Sequence, residues 1–121
     1  MAAARPSILV VDDDSSLRLL CRVNLELEGF DVREASSAEE ARAAVADARP
    51  DAVLLDVHLG ARADSLELLD ELRAEGVHVA LVTGSADLNE LRERADEVLA
   101  KPFMPDALVA TARRLATVAS R

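Results

Sequence analysis

Ile8-Leu9-Val10-Val11-Asp12-Asp13-Asp14 is a short apolar run that ends abruptly in three carboxylates. Its β-branched residues and its lack of polar alternation suit a strand covered on both faces, as in a parallel sheet between two layers of helices. Three more runs repeat the pattern. Ala52-Val53-Leu54-Leu55 ends in Asp56, Val79-Ala80-Leu81-Val82 ends in Thr83-Gly84, and Val98-Leu99-Ala100 ends in Lys101. The segments between the runs have helical spacing. The first helix is expected from about Ser15 to Glu28, with Asp14 or Ser15 as its cap and Gly29 as its stop. The second opens on a capping box, Ser37 with Glu40, and ends before Pro50. A third spans about Ser65 to Glu75 and stops at Gly76, and a short fourth spans about Ala86 to Arg94. The fifth starts at Pro105 and turns Leu108, Ala112 and Leu115 inward. Strands alternating with helices in this way predict an α/β fold with a parallel sheet, because parallel strands need crossover connections.

A chain of 121 residues fits one domain, 1–121, large enough to bury a core without staples. Only Met1 to Arg5 and the last few residues look dispensable. No run approaches the roughly 20 apolar residues that cross a bilayer, and no charged region followed by an apolar one opens the chain, so a cytoplasmic protein with no membrane contact is expected. The net charge of −9 repels a phosphate backbone and argues against direct contact with nucleic acid. Cys21 is the only cysteine; it lies on the stripe Leu17, Leu20, Cys21, Leu25 and reads as a small core residue.

In such sheets ligands bind beyond the carboxyl ends of the strands, and all four polar run ends open on that edge. Lys101 is the only lysine beside thirteen arginines. A compact ammonium suits a single phosphoryl or carboxylate oxygen, whereas arginine's planar fork wants two acceptors. Taken singly, each residue has a plainer use: Asp12 to Asp14 as helix caps, Asp56 in a turn, Thr83 as a last strand residue, Lys101 as a surface charge. Their joint occurrence carries the argument. Asp12, Asp13 and Asp56 would crowd like charges at one end of the sheet, and a divalent cation bound by oxygen, such as Mg2+, resolves that conflict. One carboxylate could then attack phosphorus and form an acyl phosphate, with Thr83 and Lys101 holding the phosphoryl oxygens.

The series Val10-Val11-Asp12-Asp13-Asp14, Leu54-Leu55-Asp56-Val57-His58-Leu59-Gly60, Val82-Thr83-Gly84-Ser85 and Lys101-Pro102-Phe103 resembles the receiver domain of bacterial two-component response regulators, over essentially the whole chain. The resemblance implies a flavodoxin-like, doubly wound sheet of five parallel strands in the order 2-1-3-4-5, with five helices. It implies that Asp56 is the phosphoacceptor, that Asp13 binds magnesium directly with Asp12 assisting through water, and that His58 offers its backbone carbonyl to the metal. Thr83 and Lys101 take the phosphoryl-contacting roles, and Lys101-Pro102 is expected to be cis. The implied partners are a sensor histidine kinase or histidine phosphotransfer protein and an unknown downstream protein. No output domain is read in this chain, which resembles either a stand-alone receiver or a piece of a longer regulator.

Departures from the family pattern sit around the acceptor and in the switch. Gly60 stands where a proline usually follows, Ala61-Arg62-Ala63 makes that loop longer than usual, and Ser65 replaces a common glycine. Val98 occupies a switch position where receivers often carry an aromatic residue. Seventeen residues, Gly84 to Ala100, separate Thr83 from Lys101, a short span for the family. Thr83-Gly84 with this short span resembles the receivers nicknamed FAT GUY. Without an aromatic switch, ordering of residues 84–94 through Thr83 is the expected route of transmission.

Three other classes compete. A haloacid dehalogenase-type phosphatase also joins aspartate, hydroxyl and lysine, but Ser16 after Asp14 breaks its first-strand motif. A flavodoxin would need its first loop to cradle phosphate, which Asp12-Asp13-Asp14 would repel. A pseudo-receiver would bind partners without phosphorylation, and the intact acid, hydroxyl and lysine set argues against it.

Overall fold

The computed structural model describes residues 5–84 and 88–119. Its strands are β1 (Ser7–Val11), β2 (Asp31–Ala35), β3 (Ala52–Asp56), β4 (Val79–Gly84) and β5 (Glu97–Lys101). They alternate with α1 (Ser15–Leu27), α2 (Ala38–Asp47), α3 (Arg62–Ala74), α4 (Leu88–Leu91) and α5 (Pro105–Ala119). The sheet is parallel throughout in the order β2-β1-β3-β4-β5, as expected for a flavodoxin-like fold.

The near-continuous apolar runs are explained by two cores, one on each face. Leu9, Val11, Val53, Leu55, Val79 and Leu81 pack with Ala41, Leu68, Leu69, Leu72 and Leu91. The alternate residues Ile8, Val10, Ala52, Leu54, Ala80, Val82 and Leu99 pack with Cys21, Leu25, Leu108, Ala112 and Leu115. The period of two in a strand sends neighbours to opposite faces, so a strand apolar at every position can serve both. Leu20 departs from its expected place on the α1 stripe. It lies at the margin of the helix face and is exposed, while Cys21 and Leu25 are buried.

Asp14 caps α1, its Oδ1 accepting from the amides of Ser16 and Leu17 at 2.9 and 3.3 Å. Ser37 caps α2 by accepting from the Glu40 amide at 3.1 Å. Its reciprocal partner is shifted by one residue: Glu40 Oε1 accepts from the Ser36 amide and hydroxyl, both at 2.7 Å. Ser37→Ala should therefore lower stability by about 1 kcal/mol in urea unfolding, the usual cost of a lost cap. At the end of α3, Gly76 takes φ +80, and the amides of Gly76 and Val77 return to the carbonyls of Arg73 and Leu72. A side chain there would be strained in the left-handed region, and its Cβ would meet Arg49 Nη2 at 2.9 Å.

Two helices differ from expectation. α3 begins at Arg62, not Ser65, and ends at Ala74; Ala61 precedes it without a side-chain cap. Ser65 lies inside the first turn, its hydroxyl buried and turned to the preceding loop. α4 is a single turn, Leu88–Leu91, closed by the Arg94 amide on the Leu91 carbonyl, and shorter than the expected Ala86 to Arg94. The expected start at Ala86, Ser85 of the stretch Val82-Thr83-Gly84-Ser85, part of the expected switch segment, and residues 1–4 and 120–121 lie outside the described residues.

Candidate functional site

Parallel strands in register bring their carboxyl ends to one edge. Val11 pairs with Leu55, Asp56 with Val82, Thr83 with Ala100, and Gly84 with Lys101. The polar residues that end the apolar runs therefore collect where the helices begin.

Asp12 and Asp56 are each 4% exposed, whereas Asp13 is exposed, and carboxylate oxygens of the three lie within 4.8 Å of one another. Lys101 Nζ approaches Asp56 Oδ1 to 3.4 Å and Asp12 Oδ2 to 3.9 Å. Asp56 Oδ1 also accepts from the His58 amide at 3.1 Å, and Asp12 Oδ1 accepts from the Asp14 amide at 2.9 Å. Burial pushes the Asp12 carboxyl above its usual range. The Asp14 amide opposes that shift, the Asp56 charge adds to it, and Lys101 and Asp13 act in opposite directions more weakly. One ammonium therefore faces three acids, and negative charge is left in a partly desolvated site.

Of the expected site residues, Asp12, Asp13, Asp56 and Lys101 come together directly, and His58 joins them through its backbone amide while its side chain is exposed. Thr83 is fully buried and follows Val82, the strand partner of Asp56. Val98 lies apart from the cluster, pairing with Leu81 and packing half-buried against the core on the α2 and α3 side. Lys101-Pro102 is cis.

The donor set suits a hard divalent cation. It is all oxygen, it carries more negative charge than its one lysine offsets, and its two buried acids have lost much of their hydration. Cys21, buried in the core with Ile8 and Val10, offers no soft ligand. Burial pushes its thiol up to about 12, so it stays neutral. The folded protein should resist alkylation at Cys21 at pH 8 and react once unfolded in urea, as followed by intact mass.

Spacing alone did not find Arg18 or Glu34. Arg18 Nη1 donates to the Asp12 carbonyl at 2.6 Å, while its Nε binds Glu34 Oε1 at 3.0 Å. Arg22 Nη1 holds the other Glu34 oxygen at 2.9 Å and keeps that carboxyl below its usual range. This braces the β1–α1 loop from outside the acid cluster. The available signal was an arginine one turn after the Asp14 cap, a common surface pattern.

Comparison with known families matches residues 8–113 to the response regulator receiver domain. The chain belongs to that family. The receiver is 38% identical over 118 residues to the DNA-binding response regulator MtrA of Mycobacterium tuberculosis, covering 93% of this chain and 51% of MtrA. It thus spans about half the length of the curated relatives it matches. The crystal structure of the NtrX receiver domain from Brucella abortus superposes with a TM-score of 0.84 at 35% identity, covering 91% of this chain and 98% of that one. Chemotaxis protein CheY4 of Vibrio cholerae gives a TM-score of 0.81 at 27% identity, covering 93% and 99%.

Proposed function

We propose that this receiver accepts a phosphoryl group on Asp56 from the phosphohistidine of a sensor histidine kinase or histidine phosphotransfer protein, and that modification changes its binding to a downstream protein. The observation that carries the reading is the setting of Asp56. It is a buried carboxylate at a strand end, with oxygens of Asp12 and Asp13 within 4.8 Å and Lys101 Nζ at 3.4 Å.

The carboxylates of Asp12, Asp13 and Asp56 and the His58 carbonyl would hold magnesium. When bound, the ion would offset their mutual repulsion and the charge on the phosphoryl oxygens. Both hydrogen bonds described for the Asp56 carboxylate fall on Oδ1, so Oδ2 is the oxygen assigned the attack. A P–O bond forms as the P–N bond to the donor imidazole breaks, and the imidazole nitrogen keeps the bonding electrons. Lys101 Nζ then moves its charge from Asp56 Oδ1 to a phosphoryl oxygen, and the Thr83 hydroxyl holds another. Thr83 and Val98 relay the change to the β4–α4 and β5 surface. In this role the receiver is a signalling domain that assists its own modification.

Among the described residues no helix is long and apolar enough to cross a membrane. A cytoplasmic setting goes with the proposal. MtrA is named as DNA-binding, but the net charge of −9 here favours a protein partner. Beryllofluoride with magnesium, a stand-in for the phosphoryl group, tests the reading. It should raise the melting temperature of the wild type beyond magnesium alone, because a ligand of the folded state stabilises by mass action. Asp56→Ala should show no such increment. An equal increment in that variant would place the anion elsewhere.

A further inference from the structure

Ser65 lies in the first turn of α3 and is completely buried. Its Oγ accepts from the Leu59 amide at 3.0 Å and lies 3.4 Å from the Leu59 carbonyl, to which the hydroxyl donates. The same amide also reaches the Asp56 carbonyl at 3.3 Å. One hydroxyl, six residues on, thus grips the backbone of Leu59 from both sides. The next residue needs such a restraint. Gly60 has φ +65, and Ala61 gives α3 no side-chain cap.

The Leu59 N–H and the His58 C=O belong to one peptide unit, which is planar and trans here. In a trans peptide the two groups point in opposite directions. Fixing the N–H toward Ser65 therefore fixes the direction of the His58 carbonyl, the backbone group assigned to the cation. A glycine in place of Ser65 would leave that plane held only by the longer bond to the Asp56 carbonyl.

We propose that Ser65 is a positioning residue for the cation site, acting through the 58–59 peptide. The inference rests on the reading of Asp12, Asp13, Asp56 and His58 as a magnesium site. Groups that orient a metal ligand without touching the metal commonly change its affinity by an order of magnitude or more.

Magnesium chloride titrations of metal-free protein, followed by calorimetry, provide the test. Ser65→Ala should weaken magnesium binding roughly tenfold. Ser65→Cys, which keeps the packing but accepts hydrogen bonds weakly, should shift binding the same way. At saturating magnesium, labelling of Asp56 by acetyl phosphate should return toward the wild-type rate in both, separating lost affinity from lost chemistry. Asp51→Ala is the stability control. It removes the carboxylate that accepts from the Ser7 amide at 2.7 Å on the opposite sheet edge, so it should lower the melting temperature and leave magnesium affinity unchanged. In the wild type, the Leu59 amide should exchange more slowly once magnesium is added. Wild-type affinity in both Ser65 variants, or Leu59 exchange indifferent to magnesium, would reduce Ser65 to a structural residue. Absence of magnesium binding by the wild type would instead remove the cation site itself, and this inference with it.

Discussion

Asp13→Asn is expected to melt at a higher temperature than the wild type when divalent cations are absent, and to gain almost nothing when magnesium is added. Three carboxylates within 4.8 Å, two of them buried, repel one another, and the unfolded chain relieves that repulsion by separating them. Neutralising one at nearly constant shape removes part of the penalty. Magnesium binds the folded site and not the unfolded chain, so it should stabilise the wild type by roughly 1 kcal/mol at several times its dissociation constant. That corresponds to a rise of about 4 °C for a domain of this size. A sodium control of matched ionic strength should do little, because screening is not coordination.

The pH dependence of the metal-free protein should follow from Asp12. Its carboxyl is raised in the folded state, chiefly by burial, so the folded protein holds that proton more tightly than the unfolded chain. The resulting stability is present at acid pH and lost as pH climbs from about 4 through the raised value. Asp13→Asn removes one of the charges that raise Asp12, so its loss over the same range should be smaller. Parallel urea titrations of the two proteins across this range give the comparison. Equal slopes would mean that Asp13 does not act on Asp12.

Lys101 gives the second large effect. Its Nζ lies between Asp56 and Asp12, yet the side chain is 34% exposed, so its charge is partly screened and stability should change only modestly when it is replaced. Function should change far more. Lys101→Ala removes the cation assigned to the transferring group and should slow Asp56 labelling by about a hundredfold. Lys101→Arg keeps the charge but offers a planar fork where one compact donor is wanted, and should still lose about tenfold. Labelling of Lys101→Arg at the wild-type rate would make charge alone sufficient, and the choice of the chain's single lysine at this strand end incidental.

The fold was legible because the apolar runs carry an unusual demand. Val10 and Val11, or Leu54 and Leu55, are all buried although neighbours on a strand face opposite sides, and only a sheet covered on both faces satisfies them. Asp14, Ser37, Gly29 and Gly76 marked helix ends through local hydrogen bonding that spacing can reveal. The start of α3 at Arg62 was less legible, because Ala61 leaves no capping signal and the Ser65 hydroxyl serves Leu59 from inside the first turn. The acids and the lysine were legible as strand ends, since parallel register alone brings them together. Arg18 on the Asp12 carbonyl was not, because a side chain reaching a backbone oxygen leaves no periodic trace.

The central claim is that Asp56 takes up a phosphoryl group covalently, and intact-mass spectrometry after incubation with acetyl phosphate and magnesium tests it most directly. The wild type should gain about 80 Da, one phosphoryl group replacing one proton. The added mass should map to the peptide containing Asp56 and be lost in alkali, where an acyl phosphate hydrolyses. Omission of magnesium should leave the protein largely unmodified. Asp56→Ala should gain nothing under any of these conditions. Labelling that persists in Asp56→Ala, or maps to another residue in the wild type, would contradict the account.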